Sequence, residues 1–157
     1  MEYPAFIKHF PAVDERAFAA LDAVTIDLGR EHLVTLADVL AGWSYDVARF
    51  GRELDTPSPL TDGVWHEYDY FASMLDRDRV ETALALASDS TRATAHGLLD
   101  PIDARFEAIT LPDTDGLFAP FARRQQPDCP GTGRWWGRIP VRGAVPAGLR
   151  AFASERP

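Results

Sequence analysis

Between Thr35 and Leu54 the apolar residues Leu36, Val39, Leu40, Trp43, Val47, Phe50 and Leu54 recur at steps of three and four, with charged and small residues between them. That period predicts an amphipathic helix with one core-facing stripe. Thr35 followed by Asp38 reads as a capping box with Asp in place of Glu, and a start nearer Arg30 also fits the pattern. The TPSP that follows Asp55 ends the helix, because proline cannot continue the backbone ladder.

Weaker versions of the pattern lie on either side. Residues 1–13, with Pro4 and Pro11, read as an irregular lead. Asp14 reads as an N-cap with Glu15 in the first turn, and Phe18, Leu21 and Val24 form a short stripe. In VTIDLG, Val24, Ile26 and Leu28 alternate as in a strand, but no partner strand is evident, so the segment reads as a helix end or turn. A third helix is expected from Thr61 or Asp62, with Val64, Tyr68, Phe71 and Leu75 facing the core and Trp65 and Met74 beside them. Asp76 or Asp78 would cap a further helix, RVETALALA. Ser88, Asp89 or Ser90 would cap the next, whose stripe is Ala95, Leu99, Ile102, Phe106 and Ile109; Pro101 either kinks it or starts a new helix after Asp100. Short links suit antiparallel neighbours.

After Thr110 the texture changes. Residues 111–157 hold seven prolines and six glycines, and helical period survives only at Leu117–Arg124 and Pro146–Phe152. Phe118, Phe121, Trp135, Trp136 and Phe152 are too aromatic for a disordered tail. The expectation is one all-α domain over residues 1–157: a bundle of four to five helices (1–110) with an irregular C-terminal extension (111–157) packed on it. Gln125–Gly133 is expected to be its mobile part.

Charge changes the picture next. The 157 residues carry a net charge of −8, split unevenly. Residues 1–110 hold 20 acidic and 9 basic side chains, and residues 111–157 hold 4 and 7. An acidic body excludes nucleic acid as the main partner, since phosphate binding needs clustered Lys and Arg. It favours a basic protein as the partner. No apolar run reaches the ~18 residues of a membrane span, and MEYPAFIKHFPAVDER has no long apolar stretch of a secretory signal. With the lone cysteine, Cys129, this sets cytoplasmic residence as the expectation.

Candidate chemistry is sparse. Asp62, His66 and Asp69 share a helix face, and His96, Asp100, Asp103 and Glu107 echo them. A metal site drawing on His66, Asp69, His96 and Asp100 is therefore the alternative reading, though the first stripe points away from its expected core side. No metal or other cofactor is expected. Cys129 sits in a Pro/Gly loop, QQPDCPGTG, with no His or helix N-terminus assured beside it. The chain has no nucleophile elbow and no phosphate-binding loop; GTGRWWG lacks the strand such a loop needs. The pairs Asp76 and Asp78, Asp100 and Asp103, and Asp113 and Asp115 border helix ends, where aspartate caps and turns are common.

Two features suit a partner. Arg134, Trp135, Trp136 and Arg138 bring together residue types that dominate protein interfaces, although the tryptophans could instead dock the tail. Asp38, Asp46, Glu53 and Asp55 flank the second helix, and Glu67, Asp69, Asp76, Asp78 and Glu81 crowd the third and fourth. Such a face can occupy the cleft of a cationic protein.

LADVLAGW, LLDPIDARFEAIT and RWWGRIP together resemble a group of small acidic actinobacterial proteins with a helical body and a tryptophan-rich ending. The resemblance spans most of the chain, implies a helical fold, and carries no activity and no site residue. The expected function is non-enzymatic protein binding of the immunity-protein or antitoxin kind, directed at a basic toxin or effector. The expected contacts are Asp69, Asp76, Asp78, Glu81, Arg134, Trp135, Trp136 and Arg138. A small helical metal- or ligand-binding domain or enzyme using His66 and His96 is the alternative.

Overall fold

A computed structural model describes residues 1–29, 32–55, 66–128, 131 and 133–155. Of these, 67% are helical. In chain order the elements are α1 (Tyr3–Phe6), α2 (Glu15–Asp22), β1 (Thr25–Asp27), β2 (Leu33–Thr35), α3 (Leu36–Glu53), α4 (Glu67–Leu86), α5 (Asp89–Ile109), β3 (Thr110–Pro112), α6 (Phe118–Gln125), a 3-10 turn (Arg134–Gly137), β4 (Arg138–Pro140) and α7 (Ala144–Ser154). The contacts divide into two compact units. Unit one comprises Met1–Val47 and Leu75–Arg105, and unit two comprises Ala48–Met74 and Phe106–Pro157.

The predicted α3 stands as read. Thr35 and Asp38 exchange hydrogen bonds across its first turn, the Thr35 N–H donating to Asp38 Oδ2 (3.0 Å) and the Asp38 N–H to Thr35 Oγ1 (3.1 Å). Each satisfies a backbone donor that the helix leaves orphaned. The stripe residues Leu36, Leu40, Trp43 and Val47 are fully buried in unit one. The Met1 amino group also reaches Asp38, at 2.7 Å.

Elsewhere in unit one the structure corrects the sequence reading. Tyr3–Phe6 forms a helical turn where an irregular lead is expected, because Pro4 takes a first-turn position whose missing N–H costs nothing. Phe6 is buried against Phe10 and Phe18 (ring centroids 4.8 and 5.1 Å). Asp14 caps α2 as expected, accepting from the Ala17 N–H at 2.7 Å. Within VTIDLG, Thr25–Asp27 form a strand after all. Ile26 pairs with Val34 in an antiparallel hairpin, and the partner strand is the segment leading directly into α3.

The third and fourth predicted helices are one helix, α4. Asp76 and Asp78 lie inside it rather than capping a new start. Its phase also differs from the expectation. Tyr70, Ser73, Met74, Arg77, Val80, Ala83 and Leu84 are buried, whereas Tyr68 is 57% exposed. The expected start at Thr61 or Asp62, with Val64 and Trp65, lies outside the described residues. Ser88 caps α5, its hydroxyl accepting from the Thr91 N–H (3.2 Å), and the helix runs unbroken past Pro101.

Unit two contains α6 and α7 close to the expected spans, with a second two-stranded antiparallel sheet, β3 with β4, that the sequence reading lacks. Strands of three residues leave too short an alternation to recognise before the partner is known. Its core is aromatic. Tyr70 meets Phe50 (5.2 Å) and Phe118 (5.0 Å) edge-on. Gly143 turns the chain into α7 with φ of 98°, a backbone shape that costs a side chain-bearing residue steric strain. Among the described residues no helix is long and apolar enough to cross a membrane.

Candidate functional site

The titratable groups of unit one fall into a buried set and a surface set. The buried set centres on Asp103. Arg77 donates from Nε to Asp103 Oδ1 (3.1 Å) and from Nη2 to Oδ2 (2.8 Å), and Trp43 Nε1 donates to Oδ1 (2.9 Å). The third guanidinium edge reaches Glu81 at 2.7 Å. Arg77 is 3% exposed and Asp103 9%. Burial works against the Arg77 charge, but the hydrogen bonds and charges of Asp103 and Glu81 outweigh it and hold the guanidinium above its ordinary pKa. This bidentate pair locks α4 to α5. Such geometry suits fixing a core more than passing a proton, since its donors and acceptors are matched.

The surface set is acidic. Fourteen carboxylate residues against seven cationic ones give unit one a net charge of −7, and unit two carries the remaining −1. Among the described residues of unit one, Glu2, Asp14, Glu15, Asp27, Glu81, Asp89 and Asp100 are exposed, against Lys8, Arg16 and Arg105. Sequence reading singled out only Glu81 of these for the acidic face. Except for Asp100, which lies in the middle of α5, the others sit beside helix starts and turns, and that placement is the available signal.

The remaining sequence-selected acids are engaged within the fold. Asp76 pairs with Arg79, and Asp78, half-buried, has interactions of its own. Asp38 is lowered in pKa: partial burial acts in the opposite direction, and hydrogen bonds from the Met1 amino group and from Thr35 overcome it. Asp46 is buried. In unit two, Asp69 accepts from the His66 N–H (2.9 Å) and so caps α4, Glu53 pairs with Arg49 (2.7 Å), and Asp113 caps α6 through the N–H groups of Leu117 (3.0 Å) and Phe118 (2.8 Å). The exposed Asp55 bonds Arg142 at 2.6 Å, and that hydrogen bond lowers the carboxyl and raises the guanidinium.

His66 and Asp69 belong to unit two, and His96 and Asp100 are exposed on α5 in unit one. Among the described residues no group of three or more His, Cys, Asp or Glu is placed to hold a metal ion. Asp62 and Cys129 lie outside the described residues.

The Arg134–Arg138 segment is placed by the 3-10 turn and β4. Trp135 and Trp136 are both buried, at 8% and 7% exposure. Trp136 stacks on Phe118 (5.5 Å, 17°) and meets Phe71 edge-on (5.9 Å). Gly133 is fixed by this packing, because any side chain there would run into the Trp135 ring. Arg134 pairs with Glu107 at 2.7 Å. Arg138 closes the end of α5. Its Nη2 donates to the carbonyls of Glu107 (3.0 Å) and Thr110 (2.8 Å), and its Nε to Thr110 Oγ1 (2.8 Å). Its own carbonyl accepts from the buried Tyr70 hydroxyl (2.9 Å), whose pKa burial pushes far above the ordinary phenol range. Comparison with protein-family models, with curated proteins and with solved structures finds no significant match.

Proposed function

We propose that this chain is a non-enzymatic, protein-binding protein of the cytoplasm, an inhibitor of the immunity-protein or antitoxin kind that seats a basic toxin or effector against the acidic face of a helical bundle. The observation that carries the reading is the charge distribution: nearly the whole net charge falls in unit one, and its exposed carboxylates outnumber its exposed cations seven to three among the described residues. A surface of that sign draws a cationic partner by long-range attraction, so association is fast and sensitive to salt.

The contacts assigned from sequence divide under this reading. Asp76, Asp78 and Glu81 contribute to the field of unit one, joined by Glu15, Asp89 and Asp100. Asp69 contributes from unit two. Arg134, Trp135, Trp136 and Arg138 are bonded or buried within unit two, which suits positioning of the tail more than direct contact. Support therefore comes from the carboxylates.

The test is capture from the source organism's extract, followed by reconstitution. The tagged chain should retain one basic protein in equimolar amount at low salt and release it at moderate salt, and the purified pair should show that protein's activity suppressed. Reversing Glu15, Asp89 and Asp100 to lysine should slow association by about tenfold or more at low salt. An acidic or neutral partner, undiminished partner activity, or an unchanged association rate would each reject the reading.

A further inference from the structure

Part of unit two carries the charge opposite to that of unit one. From Leu117 to Glu155 six arginines stand against two carboxylate residues, Asp128 and Glu155. Arg123, Arg124 and Arg150 are exposed, and among the described residues none of the three forms an ion pair. An aromatic row reaches the surface beside them. The exposed Tyr68 of α4 meets Phe121 of α6 edge-on (5.0 Å), and Phe121 meets the half-buried Phe152 of α7 (5.2 Å). Arg124 lies over the Phe152 ring at 5.3 Å. Exposed tyrosine beside arginine is the composition of an interface centre.

Unit one holds the complement. A groove of about 260 Å³ is lined by Ala17 and Ala20 of α2 and by Ser90, Thr91 and Thr94 of α5, with Asp14 and Arg16 as its charged groups. Glu15 and Asp89, next in the chain to Asp14 and Ser90, are exposed. Arg92 is held by Asp89 (3.0 Å) and by the Leu84 and Ala87 carbonyls. Small side chains leave room for a ring, and the Asp14 carboxylate and the hydroxyls offer acceptors to a phenol O–H.

We propose that the chain self-associates head to tail: the face of Tyr68 and Arg124 on unit two of one copy docks on the α2–α5 surface of unit one of a second copy, with Tyr68 in the groove. Charge selects the occupant. Every copy carries both signs, so the complement is always present at the concentration of the chain itself. The contact is heterologous, and it repeats from copy to copy unless the rotation closes it. It rests on the acidic surface that the inhibitor reading also uses, so a cationic partner competes with the second copy. The test uses the chain alone, and the failure of either reading leaves the other standing.

The measurement is sedimentation equilibrium of the intact protein from about 10 μM to about 1 mM. At about 0.01 M salt the mass should rise with concentration from 17.4 kDa to at least twice that. Association should weaken about tenfold or more at about 0.15 M salt. Tyr68→Ala with Arg124→Glu should hold the chain monomeric, and so should Glu15→Lys with Asp89→Lys. An equimolar mixture of the two double variants should associate again, because one retains the acidic surface and the other retains the aromatic face. Should a reversal fail to fold, the neutral changes Arg124→Gln and Asp89→Asn repeat the comparison. A monomer throughout at low salt, association indifferent to salt, association surviving in either variant, or a mixture of folded variants that stays monomeric would overturn the proposal.

Discussion

At the scale of single residues, the most consequential choice in this chain is a buried charge. Arg77 and Asp103 meet through two hydrogen bonds inside unit one, with Trp43 donating to the same carboxylate. Removing one partner strands the other in a low-dielectric interior. Arg77→Leu is therefore expected to destabilise the fold by about 3–5 kcal/mol, measured by urea unfolding. Arg77→Leu with Asp103→Leu should recover at least half of that loss, since an apolar pair strands no charge. A single variant as stable as the wild type would show that the pair is held open to solvent. The same residues explain why sequence reading misplaced the face of α4. Arg77 and Ser73 occupy core positions while Tyr68 faces outward, so hydrophobic period points the wrong way. Asp103 lies four residues after Leu99, on the buried side of α5. That spacing was visible, but its partner 26 positions upstream was not.

At the scale of elements, legibility follows how local the determinants are. α3 carries its stripe and its capping box within its own residues, and both are present as read. The strand pairs are the opposite case. β3 and β4 lie some 26 residues apart in the chain, and each is only three residues long. The candidate site was legible in part for the same reason: Trp135, Trp136 and the flanking arginines stand out by type, whereas their engagement by Glu107, Thr110 and Phe118 comes from packing that no local pattern marks. The start of α3 also sets a pH dependence. The Asp38 pKa is lowered in the fold, so its contribution is present above the unfolded carboxyl value and is lost as pH falls through the lowered one. The Met1 amino group is raised from 8.0, so its contribution is present below that value and fades as pH rises through the raised one. Asp38→Ala should cost about 1 kcal/mol at pH 6–7, and that cost should shrink as pH falls below the ordinary carboxyl range, as read from thermal unfolding across pH. A cost that persists undiminished at low pH would assign the effect to packing.

At the scale of the whole molecule, a net charge of −8 with −7 in one unit implies self-repulsion among exposed carboxylates. Salt shortens the reach of that repulsion from about 30 Å at 0.01 M to about 8 Å at 0.15 M. The midpoint of thermal unfolding should therefore rise by about 2–4 °C over that range. Glu15→Gln with Asp100→Asn should blunt the rise. A fall with salt would mean that attractive pairs such as Arg79 with Asp76 and Arg92 with Asp89 dominate the balance instead.

Trp43, already met as a donor to Asp103, has a practical consequence in optics. It is the one tryptophan within the residue ranges of unit one; Trp65, Trp135 and Trp136 fall within those of unit two. Intrinsic emission is thus partitioned by the chain itself. Subtracting the emission of Trp43→Phe from that of the wild type, at a temperature where both stay folded, isolates a signal from the buried carboxylate's surroundings, without attaching a dye.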